Sequence, residues 1–302
     1  MKKITLTALV LLTCIPAFAA EPEPAKNRFH RHYDYSHFTE LSVSNTFIVD
    51  LAFEDRWSVD IDVPDFIEPY LKISCNGDRL RIGLEKLPGN IQRKMNGEHP
   101  LHASIRMPKI TKLKMSGATS LMTEGIPALE HHDSLEIDLS GASRIENLQA
   151  SSNGKFSLDM SGAAKAEISA DFNQIDLDLS GASKLRIDGT ADFIEMECSG
   201  ASSAKITGNY NISDIEVNGS SNVSLSDDLE YMKLEVSGAS RFELHGQAAR
   251  ADVEISGASK ARIAVSKELN YEVSGVSTLR VKDLGAKLRG ETSRGAKIDF
   301  IK

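Results

Sequence analysis

The chain has 302 residues, with 35 Lys and Arg against 43 Asp and Glu and a formal net charge of −8. That balance argues against a nucleic-acid ligand, because phosphate recognition rests on clustered Lys and Arg. No stretch reaches the roughly 20 apolar residues a membrane-spanning helix needs, so no transmembrane segment is expected in the mature chain.

The first residues read as a secretory signal over 1–19. Lys2 and Lys3 form a positive start, Ile4 to Ile15 an apolar stretch, and Ala17-Phe18-Ala19 a small-x-small cleavage site. Cleavage removes two lysines and no acid, taking the charge from −8 to −10. The alternative is a lipoprotein anchored at Cys14, although Thr13 stands where a smaller residue is usual. Either way the chain is expected to be exported, to the periplasm or the cell surface. Residues 20–37, with Pro22 and Pro24 and a polar run after them, read as a flexible leader. His30, His32 and His37 with Asp34 have spacings that could hold a divalent transition metal, but a mobile leader would not orient the ligands. No cofactor is expected.

Residues 38–109 read as an N-terminal β cap built of alternating strands: Leu41 to Leu51, Trp57 to Val63, Leu71 to Cys75 and Leu80 to Leu84. A tight turn at Asn76-Gly77 or Gly77-Asp78 joins the last two as an antiparallel hairpin, and Asp65 to Tyr70 has room for one helical turn. Such a block would cover the open edge of whatever follows. Cys75 and Cys198, the cysteines left after processing, fall at inward positions of strands that look far apart, so both are expected to be buried free thiols.

From about residue 110 the tetrad Ser-Gly-Ala-Ser and its variants recur, with Gly at 117, 141, 162, 181, 200, 219, 238, 257 and 275. The spacings are 24, 21, then 19 five times, then 18, and a degenerate copy at Gly295 follows after 20. Each copy shows alternation on both sides of the tetrad. Around Gly181, Ile175, Leu177 and Leu179 alternate with Asp176 and Asp178, and after the turn Leu185 and Ile187 alternate with Lys184 and Arg186. A strand-turn-strand unit of this size buries its apolar face only by stacking on its neighbours. Residues 110–302 are therefore expected to form a right-handed parallel β-helix, a solenoid of roughly 19-residue coils, in an all-β protein. Gly in the tetrad serves a sharp corner, and its small neighbours pack in a column.

Outward positions form charged files. Asp138, Asp159, Asp178, Glu197, Glu216, Glu235, Glu254 and Glu272 stand three residues before successive glycines. Arg144, Lys165, Lys184, Arg241 and Lys260 stand three residues after, with Arg186, Lys205, Arg262 and Arg280 two positions further on. The acidic file is expected to be a solvated face offset by the basic file around the corner, or else neutralised by cations; calcium is the sharper alternative, although the repeat lacks the Gly-Gly-x-Gly-x-Asp pattern.

The chain resembles the head GIN domain family of autotransporter adhesins. The resemblance rests on Phe38-Thr39-Glu40-Leu41-Ser42-Val43-Ser44, on Asp78-Arg79-Leu80-Arg81-Ile82 and on Leu113-Lys114-Met115-Ser116-Gly117-Ala118, over roughly 38–302. It implies a pectin-lyase-like β-helix without established catalytic residues. Ser44-Asn45-Thr46 departs from the Gly-rich turn that many members carry there. Function is expected to be non-catalytic: adhesion or scaffold binding of a polysaccharide or a protein surface by a rigid face bearing the basic residues above. The alternative is a polysaccharide-active lyase or hydrolase. It would need a cleft walled by long loops, and the sizeable excursions are Gly83 to Leu101 and Thr119 to Ser134.

Overall fold

Alternation that survives every corner dictates the architecture. In the computed structural model, which describes residues 27–95 and 99–301, the chain is all-β, with 62% strand and 5% helix and a parallel solenoid of about 9 turns. The signal, the Cys14 alternative and the start of the leader lie outside the described residues.

Each coil has one strand before the corner and one after it, and each pairs in parallel with its equivalent one coil away. Gln174–Leu179 lies between Lys155–Met160 and the second half of Lys184–Cys198, with Leu177 opposite Met196 as the repeat requires. The inward set is buried throughout: Leu139, Leu158, Met160, Ile175, Leu177, Leu179, Ile187, Met196, Val217, Val236, Ile255 and Val273 are each at most 2% exposed. Burying a side chain of this kind contributes about 1.5–3 kcal/mol, and the stacked columns make one continuous core.

The corner explains the tetrad. Gly181 has φ +71°, and a Cβ there would lie 2.5 Å from the Gly162 carbonyl oxygen of the coil below. That close approach lets the amide of Ala182 donate to the same oxygen at 2.6 Å, and Ala201 repeats the bond to Gly181 at 2.7 Å. Ser143, Ser183 and Ser277 are buried beside the corner, and each donates its hydroxyl to the carbonyl three residues earlier.

The N-terminal block is threaded into the solenoid as well as closing it. Its strands are β1 (Arg28–Tyr33), β2 (Glu40–Val43), β3 (Phe47–Phe53), β4 (Ser58–Pro64), β5 (Leu71–Asn76), β6 (Arg79–Leu84) and β7 (Leu101–Met107). The first strands of the repeat region follow as β8 (Lys112–Met115) and β9 (Ser120–Glu124). The outermost pairs, β1–β4, β4–β7 and β5–β6, are antiparallel. Inside them, β2 runs parallel to β6 and β8, and β3 parallel to β7 and β9. The stretch from Leu41 to Leu51 is thus two strands bent at Asn45 rather than one. Asn45 takes φ +75° and sits beneath Gly117, accepting the Ala118 amide at 2.6 Å. It is the corner of a coil that precedes the first glycine.

Arg28–Tyr33, read from sequence as part of a flexible leader, instead forms β1, an edge strand held to β4 by Arg28–Asp62 at 2.7 Å and His32–Asp60 at 2.8 Å. The helical turn at Asp65–Tyr70 is present, the two-residue loop Gly77-Asp78 closes the hairpin, and the excursion after Gly83 carries a short helix, Gly89–Met95. Cys198 is buried and free; Cys75 is also free but only half buried, because β5 pairs with β6 alone at the margin of the core.

Candidate binding face

The strands that follow the corners carry the basic residues, and parallel register converts their sequence spacing into files. Arg144, Lys165, Lys184 and Ser203 are successive partners, then Asn222, Arg241, Lys260, Thr278 and Lys297. The file beside it runs Glu167, Arg186, Lys205 and Ser224, then Glu243, Arg262, Arg280 and Asp299. Partners lie about 4.8 Å apart along the axis. The face is therefore a lattice of outward side chains on a rigid sheet.

The balance of cations and carboxylates divides that face. Arg144 meets Glu146 at 3.3 Å and Arg186 approaches Glu167 at 3.9 Å. A groove of about 310 Å³ here is lined by Arg186 and Lys205 but also by Glu167 and Asp188, and Asp188 accepts the Thr207 hydroxyl at 2.8 Å. Lys165 and Lys184 stack on one another outside it. Further along, a groove of about 330 Å³ is lined by Arg241, Lys260, Arg262, Arg280 and Lys297, against two carboxylates, Glu243 and Asp299. Asp299 takes Lys297 at 2.8 Å and Arg280 at 3.8 Å. Arg241, Lys260 and Arg262 have no carboxylate within 4 Å among the described residues, and neither do Lys165, Lys184 and Lys205, so the two grooves differ in their ratio of cations to carboxylates. The nine basic residues expected from sequence thus fall into two sets, separated by Ser203, Asn222 and Ser224.

Lys297 was missed by counting from Gly295, which puts Ile298 at the equivalent place. An offset of 19 from Thr278 finds it.

The opposite file is unbroken: Asp138, Asp159, Asp178, Glu197, Glu216, Glu235, Glu254 and Glu272 are successive partners. Its neutralisation comes from lysines on its own face, not from the basic file around the corner. Lys114 meets Asp138 at 2.9 Å, and Lys233 meets Glu235 at 3.0 Å. Within a face the neighbour is one strand away; around the corner the side chains diverge. Elsewhere acid stacks on acid. Partial burial, then the neighbouring charges, raises the carboxyls of Asp159 and Glu197 above the usual range.

The histidines are drawn into pairs. His32 contacts Asp60 and Asp34, which raise its pKa, and His37 stacks on Trp57 with centroids 5.0 Å apart. Among the described residues no group of three or more His, Cys, Asp or Glu side chains is arranged to hold a metal. No helix among them is long and apolar enough to cross a membrane.

A family model described as "Putative auto-transporter adhesin, head GIN domain" matches residues 37–212 and 194–285. Among solved structures, a "putative adhesin" from Parabacteroides distasonis is 15% identical, with 91% of this chain and 97% of that one covered and a TM-score of 0.49. A "putative adhesin" from Parabacteroides merdae is 13% identical, with 92% and 97% covered and a TM-score of 0.43. A "Putative lipid binding protein" from Parabacteroides distasonis is 12% identical, with 92% and 98% covered and a TM-score of 0.44. No curated protein matches.

Proposed function

The chain belongs to the head GIN domain family, and from that membership we propose that it is an exported, non-catalytic protein of the cell envelope or surface that binds an acidic polymer through its basic solenoid face. The observation that carries this reading is the groove in which five cations, Arg241, Lys260, Arg262, Arg280 and Lys297, face two carboxylates along one rigid sheet. A rigid repeat array offers an extended surface rather than an enclosure, which suits a polymer better than a small molecule. Unpaired surface cations contribute little to folding, so their alignment is available for an external anion. The enzyme alternative called for loop walls. Of its two excursions, Thr119 to Ser134 is partly the strand β9, and Gly83 to Leu101 includes a short helix.

The test is co-sedimentation of the purified chain with acidic glycans, read beside an assay for new reducing ends and unsaturated products. Retention on the polymer without either product is expected. Turnover abolished by one carboxylate substitution between Thr119 and Ser134 would replace this reading with the enzyme.

A further inference from the structure

We infer that the strands after Gly238, Gly257, Gly275 and Gly295 form a subsite for a linear polyuronate, a glycan bearing one carboxylate on every sugar, lying along the solenoid axis; this rests on the polymer-binding reading above. The basic face is concave over cations at that end. Its groove is lined by five cationic side chains contributed by four successive strands, Arg241–Leu244, Lys260–Val273, Thr278–Asp283 and Lys297–Ile301. Register places Arg241, Lys260, Thr278 and Lys297 in one file and Glu243, Arg262, Arg280 and Asp299 in the next. The two carboxylates sit at the two ends of their file, and Arg262 and Arg280 stand between them. Thr278 interrupts the other file with a hydroxyl, which a sugar can use as a hydrogen-bond partner.

The spacing selects the polymer. Adjacent cations in a file, Arg241–Lys260 and Arg262–Arg280, stand about 4.8 Å apart along the axis, close to the length of one pyranose unit, so the carboxylates on the facing side of an extended chain fall on every second coil. An extended acidic peptide presents its like-facing side chains about 6.6 Å apart, two residues at about 3.3 Å each. Duplex phosphates advance about 3.4 Å along each strand. Neither period is a whole number of coil spacings. The upstream groove does not share this character, because Glu167 and Asp188 there match Arg186 and Lys205 in number.

Full-length mature protein is titrated with polygalacturonate oligomers and with their fully methyl-esterified counterparts, which keep the backbone and lose the charge. Tight binding of the acid form and at least tenfold weaker binding of the ester are expected. The double variant Lys260→Gln/Arg262→Gln should weaken binding of the acid form at least tenfold, and Lys165→Gln/Lys184→Gln less than twofold. All four positions are outward on exposed sheet, and an unchanged far-UV spectrum and thermal midpoint checks that the variants fold. If a Gln pair unfolds the chain, Lys260→Arg/Arg262→Lys, expected to bind within threefold of wild type, replaces it, set against a single Arg241→Gln, expected to bind more weakly. Equal losses in both double variants would overturn the subsite and leave the face-binding reading intact. Stronger binding of poly-glutamate or duplex DNA than of polygalacturonate would overturn the choice of polymer. No binding of any polyanion would overturn both readings.

Discussion

The corner glycines combine two requirements that separate at other positions. Gly77 has φ +58° with open space where a Cβ would be, whereas Gly181 has a similar φ and a carbonyl oxygen 2.5 Å from that point. Gly77→Ala should therefore cost only the conformational penalty, about 1 kcal/mol, and Gly181→Ala about 3 kcal/mol or more, since the stacked coils must separate. Urea unfolding midpoints measure both; equal losses would show that stacking distance plays no part. Asn45 fills the same backbone role with a side chain, because its amide oxygen accepts the Leu84 N–H at 2.8 Å and no coil of the repeat lies beneath it. Thiol chemistry follows burial in the same way. Burial pushes the Cys198 thiol up to about 11, and raises that of the half-buried Cys75 as well. Iodoacetamide should label Cys75 in the native protein well before Cys198, and peptide mapping of a time course reads the order.

At the scale of the strand, the acidic file is a local cost that the core tolerates. Burial, then the far neighbour in the file, Asp138 for Asp159 and Glu216 for Glu197, raises these two carboxyls, and Asp178, which stands between them, raises both further. A carboxyl raised in the folded state binds protons more readily there than in the unfolded chain, so this contribution to stability is gained as pH falls and lost as pH rises through the carboxylate range. Asp178→Asn should accordingly stabilise the protein at neutral pH by up to about 1 kcal/mol, with the gain shrinking toward pH 4. Thermal midpoints of wild type and variant across that range decide it; a gain that persists at low pH would point away from charge repulsion. Carboxylates paired with cations or hydroxyls behave oppositely. Asp133, held below its usual value mainly by its bond to Lys109, and Asp60, lowered by Ser58 and His32 against the opposing effect of its burial, contribute stability above the unfolded carboxylate range and lose it on acidification. Calorimetric titration with calcium is expected to give no saturable micromolar binding to the file. Such binding, lost in Asp178→Asn/Glu197→Gln, would reassign it.

For the molecule as a whole, nearest-neighbour stacking makes coils interchangeable units. Deleting the 19 residues 201–219 joins Gly200 to Ser220 and keeps every inward residue on its column, because Ser203 and Asn222 already occupy equivalent places. The shortened chain should keep its β spectrum with a modestly lower midpoint. Deleting Asp178 alone should instead unfold the region, since a one-residue slip turns inward side chains out. Comparable behaviour of the two deletions would show that register is not what holds the array together.

The repeat period, the inward residues and the facing of Leu177 and Met196 were all determined by the sequence, because a fixed spacing and a period of two are one-dimensional properties that stacking preserves. The family resemblance was equally visible in short stretches such as Leu113 to Ala118. Other features depended on contacts between distant segments. The corner at Asn45 was hidden because Val43 and Phe47 are four positions apart, so the alternation passes through the bend with its parity intact; the positive φ of Asn45 and its bond to Leu84 exist only once β6 is in place. Strand β1 needed Asp60 and Asp62 of β4 to hold its polar side chains. Sequence likewise ranked nine basic residues as one face, and the tertiary structure divided them, because it gathers two cations with two carboxylates into one groove and five cations with two carboxylates into the other. Arg186 and Arg262 each have a glutamate one coil away in register, Glu167 and Glu243, but only Arg186 approaches its own, at 3.9 Å, a difference of side-chain placement that no spacing encodes.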